Sequence, residues 1–253
     1  MTHARKNLFN WLSDEINDTK ILFRNIPSLT ITFFFLSVVC ANLMANKELV
    51  NLSFVAFDCG FVFSWIMFLC MDVICKRWGA KASIKVSICA LLVNLAVSGI
   101  FALLSKAPGM WGEYYTNESL EVNTALNNTF GGAWYVVLGS GLAFITSAVV
   151  NALLNSAIGN RLKKNNFISF AIRSFASTMI GQFVDNLIFA TVVSKIFFGW
   201  SWTQVIVCSA IGAVSELLGE VLFSGVGYKV VRSWEKDGVG EQYLERIKES
   251  EAV

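Results

Sequence analysis

The stretch 167–198 of this chain is apolar enough for a membrane, yet it carries Arg173, Ser174, Ser177, Thr178, Gln182, Asp185 and Asn186. At 100° per residue, Ser174, Thr178 and Asp185 fall within about 40° of one another, with Gln182 and Asn186 flanking the stripe. One helix would turn a carboxylate, two amides and several hydroxyls toward a shared interior. Ionisable groups are costly in hydrocarbon and mark function there more often than in water-soluble proteins. Hydroxyls and amides also bond helix to helix. The Ser and Thr side chains are therefore read as glue or as ligand contacts, and Asp185 with Gln182 one turn away as a ligand pair. The stretch 203–231 adds Glu216 and Glu220 at i, i+4, on one face. Two buried carboxylates repel unless one is protonated or a cation is near. Arg173 or Lys195 could supply that cation. Substrate recognition, proton coupling and structural pairing with Arg173 are the readings of this pair.

Further candidates lie on other apolar stretches. Asn42 and Asn46 stand at i, i+4 near the end of the first, and Asp58, Trp65 and Asp72 are spread along the second. Asp72 is within a turn of Lys76 and Arg77, so a local ion pair competes with a ligand role. Trp65 is placed at mid-membrane depth, whereas tryptophan favours the interface. Packing and ring stacking on a ligand are both readings of it. No Gly-x-x-x-x-Gly-Lys-Ser/Thr loop is present, so nothing here cradles a nucleotide phosphate. The one histidine is His3, and the six cysteines lie in or beside apolar segments. Neither a zinc site nor a disulfide framework is expected. No catalytic residues and no cofactor are expected.

The elements that must position these residues are membrane helices. Hydrophobic residues make up 55% of the 253 and charged residues 15%, with a mean hydropathy of +0.58. Water-soluble domains carry roughly 25% charge. Crossing the hydrocarbon core takes about 20 apolar residues, and six such stretches occur: 28–46, 52–75, 82–105, 132–158, 167–198 and 203–231. The expected fold is an all-α membrane protein, a bundle of about six transmembrane helices. Fourteen of the 20 Lys and Arg fall before the first stretch, between the second and third, between the fourth and fifth, and after the sixth, and Lys85 and Lys229, at the adjoining ends of the third and sixth, bring that side to sixteen. That alternation places both termini in the cytoplasm. Residues 1–27 read as a cytoplasmic segment, with an interfacial amphipathic helix or a plain cap as alternatives. Residues 28–231 form the membrane domain, and 232–253 a cytoplasmic tail. The connection 106–131 is expected to be the one sizeable outer loop. A formal charge of +2 does not suggest a nucleic-acid partner.

Three blocks together resemble the queuosine precursor transporter family, also called the vitamin uptake transporter (VUT) family. The first is Ala41-Asn42-Leu43 with Lys47 following. The second runs from Phe63 through Met71-Asp72-Val73-Ile74 to Trp78-Gly79. The third is Arg173 to Phe189, with Ser177, Thr178, Gln182 and Asp185 spaced as in the family's Ser/Thr…Gln-x-x-Asp…Phe helix. The chain departs from the pattern at Lys76, where many members carry an acid, and in lacking a proline early in the second stretch. The resemblance implies import of a 7-deazaguanine such as queuine, or a similar planar vitamin, across a bacterial plasma (inner) membrane. It also implies a shape related to the substrate-binding components of energy-coupling factor transporters. Asp185, Glu216 or Glu220 would then pair with the N–H and amino edge of the ligand. Gln182 and Asn42 would read its carbonyl, and Trp65 would stack on the ring. The implied partners are the small-molecule substrate, the lipid bilayer and either an energy-coupling module or a second copy of the chain.

Overall fold

The computed structural model describes residues 3–161 and 167–251, with the side chains at 3–12, 68, 151, 152, 155, 156, 159–161, 167–175, 220, 224, 250 and 251 outside the description. The chain opens with α1 (His3–Asn25), which ends where Pro27 forbids a helical neighbour on its N-terminal side. Helix α2 (Ser28–Met44) then leaves at 109° to the last turns of α1. A β-hairpin follows, β1 (Glu48–Asn51) and β2 (Ala56–Asp58), paired antiparallel with Asn51 opposite Ala56. Helices α3 (Phe61–Trp78) and α4 (Ala80–Leu104) are separated by Gly79 alone. Its φ of 88° lies in the left-handed region, where glycine carries no Cβ penalty. A short α5 (Gly112–Asn117) precedes the long α6 (Leu120–Arg161). Helix α7 (Phe167–Phe189) passes through a π-helical turn at Ala190–Ser194 into α8 (Lys195–Phe198). Helix α9 (Trp202–Lys236) starts in a capping box between Ser201 and Gln204, and α10 (Glu241–Glu251) ends the described chain.

The helices close a ring. Helix α6 packs along α7, α7 along α9, α9 along α3, α3 along α4, and α4 returns to α6, with α2 set against α3, α4 and α6. Burial within the ring is the reverse of a water-soluble bundle. Helix α4 buries Ser83, Ser87, Asn94 and Ser98 and exposes Ile84, Ile88, Leu92, Ile100 and Leu103. Helices α6 and α9 likewise expose Leu138, Leu142, Ile145, Val214, Leu218 and Leu222. An apolar outer surface over a small and polar interior is what hydrocarbon solvent selects. The protein is an all-α membrane protein with one small hairpin.

Several expectations change. The second apolar stretch does not begin its helix at Leu52. Residues 52–58 belong to the hairpin, where Gln204 donates from Nε2 to the Leu52 carbonyl (3.0 Å) and to Asn51 Oδ1 (3.0 Å). Composition alone cannot see that partner on α9. The connection 106–131 is mostly helical, because α5 and the first three turns of α6 lie within it. Trp111 stacks on Phe130 at 4.9 Å, and its Nε1 donates to Asn127 Oδ1 at 2.7 Å, which fastens this segment to α6. By length and composition, four segments among the described residues suffice to span a membrane: Ala80–Leu104, Leu120–Val150, Ala176–Phe198 and Trp202–Phe223. The bent pair of α1 and α2 would make a fifth. Helices α2 and α3, at 17 and 18 residues, are only about 26 Å long at 1.5 Å per residue.

Candidate substrate-binding cavity

A cavity of about 150 Å³ lies inside the ring. Its polar lining comes from Asn42 on α2, Asp58 on the hairpin, Ser64 on α3, Ser140 on α6, Asp185 and Asn186 on α7, and Ser209 and Glu216 on α9. Phe57, Phe61, Phe189 and Trp200 supply flat apolar walls. Flat walls around a few polar groups are the usual make-up of a small-molecule site. A shallower groove of about 380 Å³ lies apart from it, bounded by Asn46, Trp134, Tyr135, Phe197 and Phe198.

The acids are held by neighbouring helices. Ser147 on α6 donates to Asp185 Oδ1 at 3.0 Å. Asn186 donates from Nδ2 to Glu216 Oε2 at 3.1 Å, tying α7 to α9. Asp58 Oδ1 accepts the Gly60 amide at 2.8 Å, which turns the hairpin into α3. A Cβ on Gly60 would fall 2.4 Å from the Ala41 carbonyl oxygen, so this corner closes against α2 only with glycine. Asn42 Nδ2 donates to the Val38 carbonyl at 3.0 Å, which leaves its Oδ1 available to a ligand.

The hairpin and the π-helical turn roof the cavity. Ala56, Ala190, Trp200, Val205 and Cys208 form one buried apolar cluster there. The Ala56 amide donates to Cys208 Sγ at 3.0 Å, and Trp200 Nε1 donates to Glu48 Oε1 at 2.8 Å. Tyr135 donates to the Val192 carbonyl at 2.7 Å, satisfying a backbone acceptor in the π-helical turn. Irregular backbone at membrane depth needs such partners.

Of the residues singled out in the sequence, the structure brings Asn42, Asp185, Asn186 and Glu216 to the cavity. Ser177 is buried and Thr178 half-buried on α7, and neither lines it. Gln182 also stands outside the lining, with its Oε1 buried and without a hydrogen-bond partner among the described residues. Trp65 turns away from the cavity, one residue past Ser64. It packs on Gly219 and meets Phe223 edge-to-face at 5.6 Å. Asp72 lies near the far end of α3 and, among the described residues, makes no salt bridge with Lys76 or Arg77, and Arg77 donates instead to the Val239 carbonyl. The side chains of Arg173 and Glu220 lie outside the described residues. Sequence reading noted Asp58 but did not place it with the ligand set, and it passed over Trp200. Only the hairpin brings Asp58 inward, and hairpin pairing is a long-range event. All six cysteines are free thiols. Among the described residues no group of three His, Cys, Asp or Glu is placed to hold a metal ion.

Residues 58–233 match a family model described as "Putative vitamin uptake transporter". No curated protein and no solved structure matches the chain. The match takes in α3 to α9, hence most of the cavity, and more than half of the sequence. The chain belongs to the vitamin uptake transporter family.

Proposed function

We propose that this protein imports a queuosine precursor, a 7-deazaguanine or queuine, or a similar small planar heterocycle. The observation that carries the reading is the cavity, where three carboxylates and two amides stand among flat aromatic walls. A guanine-like edge offers adjacent N–H and amino donors, and a carboxylate accepts such a pair through both oxygens. Asp185 and Glu216 are the acceptors in this reading, and Asn42 and Asn186 contribute amides. Phe57, Phe61, Phe189 and Trp200 sandwich the ring in place of Trp65. Ser177, Thr178 and Gln182 support α7 from behind the cavity. A site built to pair these donors rejects analogues that lack them. The protein acts as a carrier and not as an enzyme, in a bacterial inner membrane, with six spans and both termini cytoplasmic. The alternation of Lys and Arg supports that orientation.

A second reading has the chain bind substrate for a separate energy-coupling ATPase. The family resemblance, which implies a shape related to the substrate-binding components of energy-coupling factor transporters, motivates it. Purification from native membranes separates the two, since the second reading requires ATPase subunits to co-purify. For the first, calorimetry on the purified protein with queuine, 7-deazaguanines and flat vitamins should give saturable binding for at least one. Absence of binding across that panel, with the protein folded, would sink it.

A further inference from the structure

We propose that the C-terminal helix α10 pins an apolar plug beneath the cavity, and that its release opens the cavity toward the end of the bundle where the two termini meet. The proposal rests on the transport reading above.

Met67 of α3 lines the cavity. The same side chain packs against a continuous buried core that includes Phe34 on α2, Cys70, Ile74 and Trp78 on α3, and Val86 on α4. Tyr243 of α10 completes that core and is only 2% exposed. The core therefore runs from the cavity wall to the terminal helices. A ligand leaving at that end must displace it.

Polar contacts from the chain ends hold the plug shut. Asp18 of α1 accepts hydrogen bonds from Lys85 of α4, from Arg246 Nε (3.0 Å) and from the Tyr243 hydroxyl (3.1 Å). Lys85 also pairs with Glu15 at 2.7 Å. Arg77, at the end of α3, donates from Nε (3.0 Å) and Nη2 (2.8 Å) to the Val239 carbonyl. Trp78 Nε1 donates to the Gly240 carbonyl at 3.4 Å. Gly240 has φ 73°, and a Cβ on it would lie 2.4 Å from Trp78 Nε1, so the backbone rests directly on the indole. One short segment thus ties α1 to α3, and Lys85 joins α4 to the same Asp18 of α1.

The geometry is that of a latch more than of a fixed cap. Helix α10 has 11 residues and lies outside the ring, joined to α9 through a turn with Gly238 and Gly240 at positive φ. Such a turn is a natural hinge. Undocking α10 removes one wall of the plug and breaks no membrane helix. Helix α3 carries the effect, since Phe61, Ser64 and Met67 line the cavity and Arg77 and Trp78 sit under the latch.

Cys70 reports on the plug, because it is 7% exposed and one turn beyond Met67. The full chain is prepared with Cys70 as its only cysteine, the other five replaced by serine, in sealed vesicles of known sidedness. A water-soluble maleimide is applied from the side of the termini. Two variants are compared with the unvaried chain: removal of 241–251, and Arg246→Glu. Cys70 should react at least tenfold faster in whichever variants retain a cooperative melt. An unchanged rate in such a variant overturns the proposal. A second arm places cysteines at 18 and 246 and joins them with a reducible bifunctional reagent. Queuine binding should persist, transport should stop, and reductant should restore it. Full transport with the linkage intact also overturns the proposal. The Cys70 arm uses no ligand, so its failure strikes the latch alone. A failure of queuine and the rest of the panel to bind strikes the transport reading instead.

Discussion

Asn186 on α7 donates to Glu216 Oε2 on α9 at 3.1 Å, and the same amide donates to the Gln182 carbonyl one turn back at 3.0 Å. This pairing is possible because Gly212 stands opposite. A Cβ on Gly212 would fall 3.1 Å from Asn186 Nδ2. Gly212→Leu should therefore push Asn186 off Glu216 and spread α7 from α9. The expected loss is about 1–3 kcal/mol from overpacking alone. Thermal melts of the purified protein check it, and an unchanged melting temperature would count against the close approach.

Asp185→Asn tests the carboxylate without changing its size. The replacement amide oxygen can still accept from Ser147, so the α6–α7 contact at 3.0 Å survives. Ligand affinity should fall by two orders of magnitude or more, about 3 kcal/mol, while the melt stays within a few degrees of the unvaried chain. Calorimetry with queuine decides, and an unaltered affinity would remove Asp185 from the site.

The roof depends on Gln204, whose Nε2 serves both Asn51 Oδ1 and the Leu52 carbonyl at 3.0 Å. Gln204→Ala leaves those acceptors without this donor and loosens the hairpin. Hydrogen exchange across 48–58 should speed up at least tenfold, while α4 keeps its protection. Equal exchange in the two proteins would show that the hairpin holds without this anchor.

Much of the fold was legible because the bilayer writes a coarse rule into sequence. Long apolar runs on α4, α6 and α9 and the alternation of basic residues need no tertiary knowledge. The site was legible where one helix carried its own signal. Asp185 and Asn186 stand out as polar residues in a run that should have none. Asp58 and Trp200 did not, because they reach the cavity through hairpin pairing and through the turn between α8 and α9. For Trp65 packing and ring stacking on a ligand were both open from sequence, because the face it occupies is set by the packing of α3 on Gly219, which no helical period reveals. Nor could Arg77 show from sequence that its partner is a carbonyl at position 239 instead of Asp72.

The latch between the chain ends should respond to pH in a definite direction. Burial tends to raise the Asp18 carboxyl, but hydrogen bonds from Lys85, Arg246 and Tyr243 outweigh it and bring the pKa below its ordinary 3.8. Burial, followed by the Asp18 charge, pushes the Tyr243 hydroxyl from 10.0 up to about 12. A lowered acid stabilises the docked state above its unfolded value and loses that contribution as pH falls through the folded one. The raised tyrosine contributes below 10.0 and loses its share as pH rises through about 12. Exchange protection of α10, corrected for intrinsic rates, should hold between those limits and fall outside them. Protection that persists well below pH 3.8 would contradict the role given to Asp18.

The central claim is that this chain carries a planar, donor-rich heterocycle through the cavity between α7 and α9. Uptake of labelled queuine into proteoliposomes containing only the purified protein tests it most directly. The account predicts saturable, protein-dependent uptake that unlabelled 7-deazaguanine suppresses and that Asp185→Asn abolishes. Uptake no faster than in empty liposomes, for queuine and for every heterocycle of the binding panel, would contradict it.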